Sequence, residues 1–282
     1  DLDVLNLCLM FVSLLLVDMG TTGLNHYMDA KKAVLKEGYH YERHNPISRG
    51  VYSVNRGKWT LVALFTLATL TGALLFYRTD WVVLFLGGAS FVVGLGYSLG
   101  PVPISRTFLG DAFSGFFMGI FIPFLAFYIH YTGAPLVEFS IIEDVFSLQM
   151  NWKVLAQVVL PSIPLAFYIA NIMLANNICD REEDIVNKRY TLPVVIGDDK
   201  AKILLRINVI LPFVFVVLGL LLKAIPLVFG LMAVSLPIAL KKSKTFVNKA
   251  SKKDTFVYMV QSFVILAIIM NMVILLSIFL NI

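Results

Sequence analysis

Two carboxylates four residues apart lie in a chain in which 59% of the residues are hydrophobic. Asp180 and Asp184 belong to the segment NNICDREEDIVNKRYTLPVVIG, and Asn176 precedes them at the same spacing. On a helix these three side chains share one face, where like charges at positions i and i+4 repel each other. A neighbouring cation is therefore needed to compensate the two acids.

A second polar stripe ends the first apolar segment, in the sequence DMGTTGLNHYMDAKK. Asp18, Thr22, Asn25 and Asp29 fall at i, i+4, i+7 and i+11, along one side of a helix. Carboxylate and amide oxygens are ligands for hard cations, and Mg²⁺ binds a few carboxylates together with substrate phosphates. The two stripes together predict a site for Mg²⁺ carrying a diphosphate.

The composition of the chain indicates a membrane protein. Only 15% of the residues are charged, against about 25% in soluble domains, and the mean hydropathy is +0.83. Apolar segments close to the ~20 residues of a membrane-spanning helix predict an all-α, polytopic transmembrane helical bundle with eight helices in this chain, folded as a single domain over residues 1–282. The predicted spans are residues 2–24, 59–77, 81–99, 108–131, 154–175, 203–222, 225–240 and 255–280.

The basic residues predict the orientation of this bundle. All but three of the 23 Lys and Arg residues fall in alternate connections between the predicted spans, and connections rich in Lys and Arg face the cytoplasm. Both polar stripes end at this face, so we expect the site at the cytoplasmic face of the cell membrane. Eight spans leave both chain ends outside, and we therefore expect one further span upstream of Asp1, giving nine in the full-length protein.

The predicted site combines oxygen ligands with basic side chains. The predicted metal ligands are Asn25, Asp29, Asp180 and Asp184. Basic side chains on the same side of the membrane suit phosphate oxygens. They are Lys31, Lys32, Arg106, Lys188 and Arg189. A lone Asp-x-x-x-Asp pair in a membrane protein is usually solvated charge, so it is the repetition at two helix ends that favours a site.

At these residues the chain resembles the UbiA superfamily of intramembrane prenyltransferases. The first motif of that family, Asn-Asp-x-x-Asp-x-x-x-Asp, corresponds to NHYMDAKKA from Asn25, and the second, Asp-x-x-x-Asp, to DREED from Asp180. His26 replaces the first Asp of motif one and Ala33 the last, so that this motif keeps Asn25 and Asp29. The resemblance covers essentially the whole chain and implies a nine-helix bundle.

The resemblance implies an enzyme that binds a polyprenyl diphosphate through Mg²⁺, ionises it to an allylic cation and lets an aromatic ring attack. Asp29, Asp180 and Asp184 are then the catalytic residues. The expected substrate contacts are Asn25, Arg106, Asn176, Asn177, Lys188, Arg189, Lys32 and Tyr97. For Tyr97 a packing role is the alternative, because aromatic residues in membrane helices commonly pack or form interfacial belts.

Within the superfamily, residues 176–197 are most similar to the 1,4-dihydroxy-2-naphthoate polyprenyltransferases of menaquinone synthesis. The matching positions are Asn177, Asp180, Asp184, Lys188, Thr191, Leu192 and Gly197. This likeness implies prenyl transfer to the carboxylated ring carbon of the naphthoate, followed by loss of CO₂ to give demethylmenaquinone.

Two alternatives remain open. A UbiA-type enzyme with another aromatic acceptor, such as 4-hydroxybenzoate, would more often carry Lys-Ser where this chain has Arg-x-Thr-Leu. A cation-coupled transporter would use Asp29, Asp180 and Asp184 as an ion pathway, although transporter sites lie near the membrane midplane. The basic connection KKSKTFVNKASKK, residues 241–253, favours anionic membrane lipid as its partner, and no nucleic-acid partner is expected.

Overall fold

The computed structural model describes residues 2–32, 45–133, 136–142 and 144–281. These residues form ten α-helices, two 3₁₀ segments and one β-hairpin. The helices are α1 Val4–Lys32, α2 Val54–Arg78, α3 Trp81–Ser98, α4 Gly110–Tyr128, α5 Trp152–Cys179, α6 Arg181–Val186, α7 Leu192–Ile196, α8 Asp198–Leu221, α9 Ser235–Asn248 and α10 Val257–Leu280. The 3₁₀ segments are Ile104–Arg106 and Leu227–Val234, and the strands are β1 Val137–Ile142 and β2 Val145–Met150.

In the part of the chain that the structure describes, seven helices are long and apolar enough to cross a membrane, namely α1 to α5, α8 and α10. They correspond to seven of the eight predicted spans and confirm the all-α, multi-pass class. The eighth, residues 225–240, is divided between the segment Leu227–Val234 and α9. Pro226 precedes the 3₁₀ segment in an extended conformation, and Pro237, which lacks an N–H, lies in the first turn of α9.

The divided segment is nevertheless long. At a rise of ~2.0 Å per residue in a 3₁₀ helix and ~1.5 Å in an α-helix, Leu227–Val234 and α9 laid end to end measure about 37 Å. This exceeds the ~30 Å thickness of the hydrocarbon core of a bilayer.

The chain forms two compact units. Unit 1 comprises Asp1–Gly110 and Asp180–Gly197, and unit 2 comprises Asp111–Cys179 and Asp198–Ile282. In unit 1, α1 packs against both α2 and α3. A Cβ atom added at Gly94 of α3 would lie 2.9 Å from Cγ2 of Thr21, so the absence of a side chain there permits the close approach to α1.

Unit 2 contains a core of buried apolar side chains. Side chains of α5, α8 and α10 meet in it, among them Tyr168, Phe213 and Leu266. A Cβ atom added at Gly119 of α4 would collide with the backbone of Ala166 in α5. This close contact lies in a π-helical turn, Phe117–Phe121, and fixes α4 against the helix that ends at Cys179.

The hairpin is the one strand pair among the described residues. Its strands pair antiparallel from Val137 opposite Met150 to Ile142 opposite Val145. It lies in the connection between α4 and α5, which the Lys and Arg pattern predicts to face outside. Its first strand alternates apolar Val137, Phe139 and Ile141 with polar Glu138 and Ser140, a period of two that was not recognised in the sequence.

Candidate active site

The end of α1 meets two arginines within unit 1. Oδ1 of Asp29 lies 3.6 Å from Nη2 of Arg106, and Oδ2 of Asp29 lies 4.0 Å from Nη1 of Arg189. Asn25 lies one turn earlier on α1 and is half-buried, as is Asp29. The structure therefore brings the first acidic motif together with two of the predicted phosphate contacts.

The two arginines are held together by the backbone that carries them. The segment Ile104–Arg106 begins after Pro103, whose carbonyl accepts a hydrogen bond from the backbone N–H of Arg106 at 2.9 Å. The backbone N–H of Tyr190 donates to the carbonyl of Arg106 at 2.8 Å, and Nη2 of Arg189 donates to the carbonyl of Ser105 at 3.3 Å. These hydrogen bonds thus fix the 3₁₀ segment beside the residues that follow α6.

Asp184 lies on the buried face of α6, with 2% of its surface exposed. One carboxylate oxygen, Oδ2, accepts a hydrogen bond from the hydroxyl of Thr191 at 2.8 Å. The other, Oδ1, lies 3.1 Å from Nε of Arg189. Both carboxylate oxygens therefore have partners within unit 1.

The backbone after α6 turns back so that Arg189 can reach Asp184. Lys188 adopts a left-handed conformation with φ of 53°, which is unusual for a residue with a side chain. The backbone N–H of Arg189 then donates to the carbonyl of Asp184 at 2.8 Å. Main chain and side chain of Arg189 thus both contact the same aspartate.

Burial raises the pKa of Asp184 from its ordinary value of 3.8 to about 6. The neighbouring charge of Arg189 and the hydrogen bond from Thr191 oppose this rise, whereas the charges of Asp180 and Glu183 add to it. The carboxylate is therefore mainly ionised at neutral pH, although its burial is unfavourable.

Arg189 is the cation that lies between the two acidic motifs. Its guanidinium is within 4.0 Å of both Asp29 and Asp184. The sequence required positive charge between the two stripes, and in this structure a side chain of the protein supplies part of it.

The oxygen donors of this cluster suit Mg²⁺. Among the described residues, no group of three or more His, Cys, Asp and Glu side chains lies close enough together to hold a metal ion. Mg²⁺ does not need such a group, because it commonly takes one or two carboxylates plus water and substrate phosphates. Asp29 and Asp184 both lie within 4.0 Å of the Arg189 guanidinium, and their side chains offer oxygen donors only. These residues therefore fit a hard cation that arrives with a phosphorylated substrate.

The remaining predicted residues of unit 1 lie around this cluster or nearby along the chain. Asp180 immediately precedes α6, and its carbonyl accepts a hydrogen bond from the backbone N–H of Asp184 at 2.8 Å. Lys188 is exposed, and Lys32 is the last residue of α1. Tyr97 is half-buried near the end of α3, where its hydroxyl lies beside Gly110.

The two predicted asparagines belong to the end of α5 in unit 2. Asn176 is half-buried. Asn177 is buried, and its amide donates a hydrogen bond of 2.6 Å to Oδ1 of Asp111 near the start of α4. Asp111, itself 5% exposed, was missed in the reading of the sequence. The available signal was an acidic residue inside the apolar segment 108–131, which is costly in a membrane helix unless it is paired.

These observations define a class of protein before they define a family: a helical, integral multi-pass membrane protein with carboxylates and guanidinium groups clustered at helix ends. The model of the UbiA prenyltransferase family matches residues 1–278, and the chain belongs to this family. The resemblance seen in the two acidic motifs is thereby confirmed.

A curated relative has a more specific activity. The 1,4-dihydroxy-2-naphthoate octaprenyltransferase of Bacillus subtilis (strain 168) is 28% identical over 221 residues, which cover 76% of this chain. The match spans 62% of the relative, less than two thirds of its length.

Solved structures share the fold. An apo UbiA homologue from Aeropyrum pernix K1 superposes with a TM-score of 0.66 at 14% identity, covering 99% of this chain and 91% of that chain. A UbiA homologue from Archaeoglobus fulgidus, bound to DMAPP and Mg²⁺, superposes with a TM-score of 0.62 at 13% identity, covering 97% of this chain and 88% of that one.

Proposed function

We propose that the protein is a Mg²⁺-dependent prenyltransferase that transfers a polyprenyl group from polyprenyl diphosphate to 1,4-dihydroxy-2-naphthoate, with decarboxylation to demethylmenaquinol, the reduced form of demethylmenaquinone. The observation that carries this proposal is the cluster of Asp29, Arg106, Asp184 and Arg189 in unit 1. It offers both signs of charge that a metal-bound diphosphate requires. Family membership and the Bacillus relative support the reaction class.

The two arginines would bind the diphosphate. Arg106 and Nη1 of Arg189 lie 3.6 and 4.0 Å from Asp29, longer than the 2.7–2.9 Å of a strong charge-assisted hydrogen bond. Both arginine side chains are also partly exposed, at 20% and 23%. Phosphate oxygens can therefore replace Asp29 as their partner at little cost.

Asp184 would keep Arg189 in place during this exchange. Its contact with Nε at 3.1 Å and the contact of Nη2 with the carbonyl of Ser105 leave Nη1 of Arg189 directed toward Asp29. A guanidinium held in this way stabilises negative charge on the leaving diphosphate without reorganising, which is the usual source of a large electrostatic contribution to catalysis.

Asn25, Asp29 and Asp180 would hold the metal ion, together with Oδ2 of Asp184, which has a lone pair beyond the one that accepts from Thr191, while Oδ1 keeps its contact with Arg189. Bound there, Mg²⁺ neutralises charge that develops on the leaving diphosphate. Asp29 would turn from the arginines to the metal as the phosphate oxygens turn to the arginines, so that each charge keeps an opposite partner. The DMAPP and Mg²⁺ bound to the Archaeoglobus homologue support this assignment by shared fold.

The reaction balances without an added oxidant or base for the ring carbon. The allylic C–O bond breaks, and its electron pair leaves with the diphosphate. The carboxylated carbon of the naphthoate forms the new C–C bond, and loss of CO₂ returns an electron pair to the ring. Apolar helices around the cation would keep water from capturing it.

The acceptor rests on two supports, the likeness of residues 176–197 and the Bacillus relative. The acceptor panel described below therefore includes another aromatic acceptor of UbiA-type enzymes, 4-hydroxybenzoate. We place the reaction at the cytoplasmic face of the cell membrane, because the acidic motifs end at the side rich in Lys and Arg.

An acceptor panel tests the proposal. The purified full chain in lipid nanodiscs is supplied with a radiolabelled polyprenyl diphosphate and with 1,4-dihydroxy-2-naphthoate or 4-hydroxybenzoate, with Mg²⁺ or with EDTA. We expect a prenylated naphthoquinol and release of one CO₂ per transfer, in Mg²⁺ alone. Prenylation of 4-hydroxybenzoate in preference to the naphthoate would overturn the acceptor, and transfer in EDTA would overturn the metal dependence.

A further inference from the structure

A cavity of about 520 Å³, open to the surface, lies between α9 and the start of α10, within unit 2. It is lined by Pro237, Ile238, Lys241, Lys242, Thr245 and Tyr258. None of these residues belongs to the cluster proposed to bind the diphosphate. The volume is in the range of small-molecule sites, about 300–1,000 Å³.

The lining changes character along α9. Pro237 and Ile238 come first and are apolar and exposed. Lys241 and Lys242 follow one turn later, and Thr245 one turn after them, so that the lining extends about 12 Å along the helix axis. An apolar end and a cationic end at this separation match an amphiphile with an anionic headgroup.

The ammonium group of Lys242 is held at the cavity. Its Nζ donates a hydrogen bond to Oε1 of Gln261 and lies 5.0 Å from the centre of the Tyr258 ring. Both partners are on α10, so the contact also joins the two helices that form the walls. A positioned cation loses little side-chain entropy when an anion binds to it.

The connection between the two helices is also fixed. The hydroxyl of Thr255, which is buried, donates to the carbonyl of Lys249 at 2.7 Å and accepts from the backbone N–H of Ser251 at 3.0 Å. Residues 241–256 contain six lysines and a single acid, Asp254. The charge around the cavity is therefore strongly positive and selects an anionic partner.

We propose that this cavity binds the headgroup phosphate of an anionic glycerophospholipid from the leaflet predicted to be cytoplasmic. Lys241 and Lys242 contact the phosphate, Thr245 donates to one of its oxygens, and an acyl chain lies along Pro237 and Ile238. The acyl chain favours a lipid over free phosphate, because free phosphate has no apolar surface to bury against the apolar end of the cavity. The site is independent of the prenyl transfer proposed above.

Lipid binding by the purified full chain tests this site. Native mass spectrometry from a neutral detergent compares phosphatidylglycerol with phosphatidylcholine. We expect the double variant Lys241→Gln/Lys242→Gln to bind phosphatidylglycerol about tenfold more weakly, with no change for phosphatidylcholine. Lys241→Arg/Lys242→Arg keeps the charge and should retain the affinity.

The matched control is Lys244→Gln/Lys253→Gln, which removes the same charge from exposed residues that do not line the cavity. Its affinity for phosphatidylglycerol should stay within about twofold of the parent, since neither charge faces the headgroup. An equal loss in both double variants would show diffuse attraction and overturn the site. If the double glutamine variant fails to fold, Lys242→Gln alone carries the comparison.

Two competitors separate a lipid from other phosphates. Inorganic phosphate and geranyl diphosphate are each added at the concentration of phosphatidylglycerol. We expect neither to displace the lipid. Displacement by inorganic phosphate would make this a free-anion site, displacement by geranyl diphosphate would make it a substrate site, and either result would overturn the proposal.

Discussion

The two acidic motifs use their carboxylates differently, although both face Arg189. The side chain of Asp29 is 22% exposed, and its two contacts with arginine nitrogens are 3.6 and 4.0 Å long. The side chain of Asp184 is 3% exposed and lies 3.1 Å from Nε of Arg189. The comparison indicates that the second motif fixes the guanidinium, whereas the first can exchange it for another cation.

The difference follows from the backbone that carries each acid. Asp29 is near the end of a long helix and reaches its partners with its side chain alone. Asp184 is on a helix of six residues, after which Lys188 turns the chain back with a positive φ. That turn places Arg189 and Thr191 on the same carboxylate. A short helix with a tight return is thus the rigid part of the site.

The largest effect is expected for Asp184→Ala. Arg189 and Thr191 lose their shared partner, so we expect prenyl transfer to fall about a thousandfold and the free energy of unfolding to fall by about 2 kcal/mol. This loss is at the low end for a broken buried ion pair, because the raised pKa of Asp184 indicates that its charge is itself unfavourable to bury. Initial rates in nanodiscs and thermal unfolding measure the two effects.

Two further variants calibrate this result. Asp199→Ala removes an exposed carboxylate from the start of α8 and should change neither quantity. Asp180→Ala should reduce transfer by a similar factor with a smaller loss of stability, because the charge of Asp180 opposes ionisation of Asp184. Activity at the parental level in Asp184→Ala would remove the basis for the site.

Asp29→Asn should reduce transfer nearly as much as changes in the second motif, by about a hundredfold or more. Its stability cost should be under about 1 kcal/mol, because its ion pairs are long and partly exposed. Transfer is measured against Mg²⁺ concentration, and the concentration required should rise. Asp184→Ala should lower both prenyl transfer and the free energy of unfolding, whereas Asp29→Asn should lower mainly prenyl transfer. This contrast tests the difference between the two motifs most clearly.

Asp18→Asn is the matched control on the same helix. Asp18 is exposed and lies eleven residues, or about 16 Å, from Asp29 along α1. If Asp18→Asn shifts the Mg²⁺ dependence more than Asp29→Asn does, the metal lies deeper in the bundle than we place it.

Arg189→Lys should reduce transfer about tenfold to a hundredfold, more than Arg106→Lys. Arg189 contacts Asp184, Ser105 and Asp29 through three different nitrogens, which one ammonium group cannot reproduce. Arg106 has Asp29 as its ion-pair partner, at the longer distance of 3.6 Å. The Michaelis constant for the prenyl diphosphate and the turnover number should both change for Arg189→Lys. Equal effects of the two lysine variants would contradict the difference between the motifs.

The last prediction concerns the pH dependence of stability rather than catalysis. Because the pKa of Asp184 is raised from 3.8 to about 6, the folded protein binds a proton between these values that the unfolded chain has released. The free energy of unfolding should therefore decrease as pH rises from about 4 to about 6 and change little from this group above that range. Thermal unfolding in EDTA measures it, and the profile of Asp184→Asn should lack this decrease. Superimposable profiles would contradict the raised pKa.

The sequence predicted the parts of the site that have a periodic pattern. Asn25 and Asp29 recur at helical spacing, Asp180 and Asp184 repeat that spacing, and apolar runs predicted the seven helices long enough to cross a membrane. Pro226 and Pro237 mark residues 225–240 as the least regular of the eight predicted spans, but length and hydropathy do not predict where its 3₁₀ segment ends and α9 begins.

Contacts between segments distant in sequence could not be predicted in the same way. The positive φ of Lys188 has no signal in its residue type, yet it decides that Arg189 pairs with Asp184. The hydrogen bond between Asn177 on α5 and Asp111 on α4 joins residues that are 66 positions apart in the sequence. Such pairs depend on tertiary packing, which residue spacing does not encode.

The most direct test of the account is an experimental structure with Mn²⁺ in place of Mg²⁺ and a non-cleavable prenyl diphosphate analogue. The anomalous signal of manganese locates the metal independently of the protein chain. We predict manganese coordinated by Asp29, phosphate oxygens bonded to Arg106 and Nη1 of Arg189, and the contact of Asp184 with Nε of Arg189 unchanged. A diphosphate bound away from these two arginines, or a metal without Asp29 among its ligands, would contradict the account.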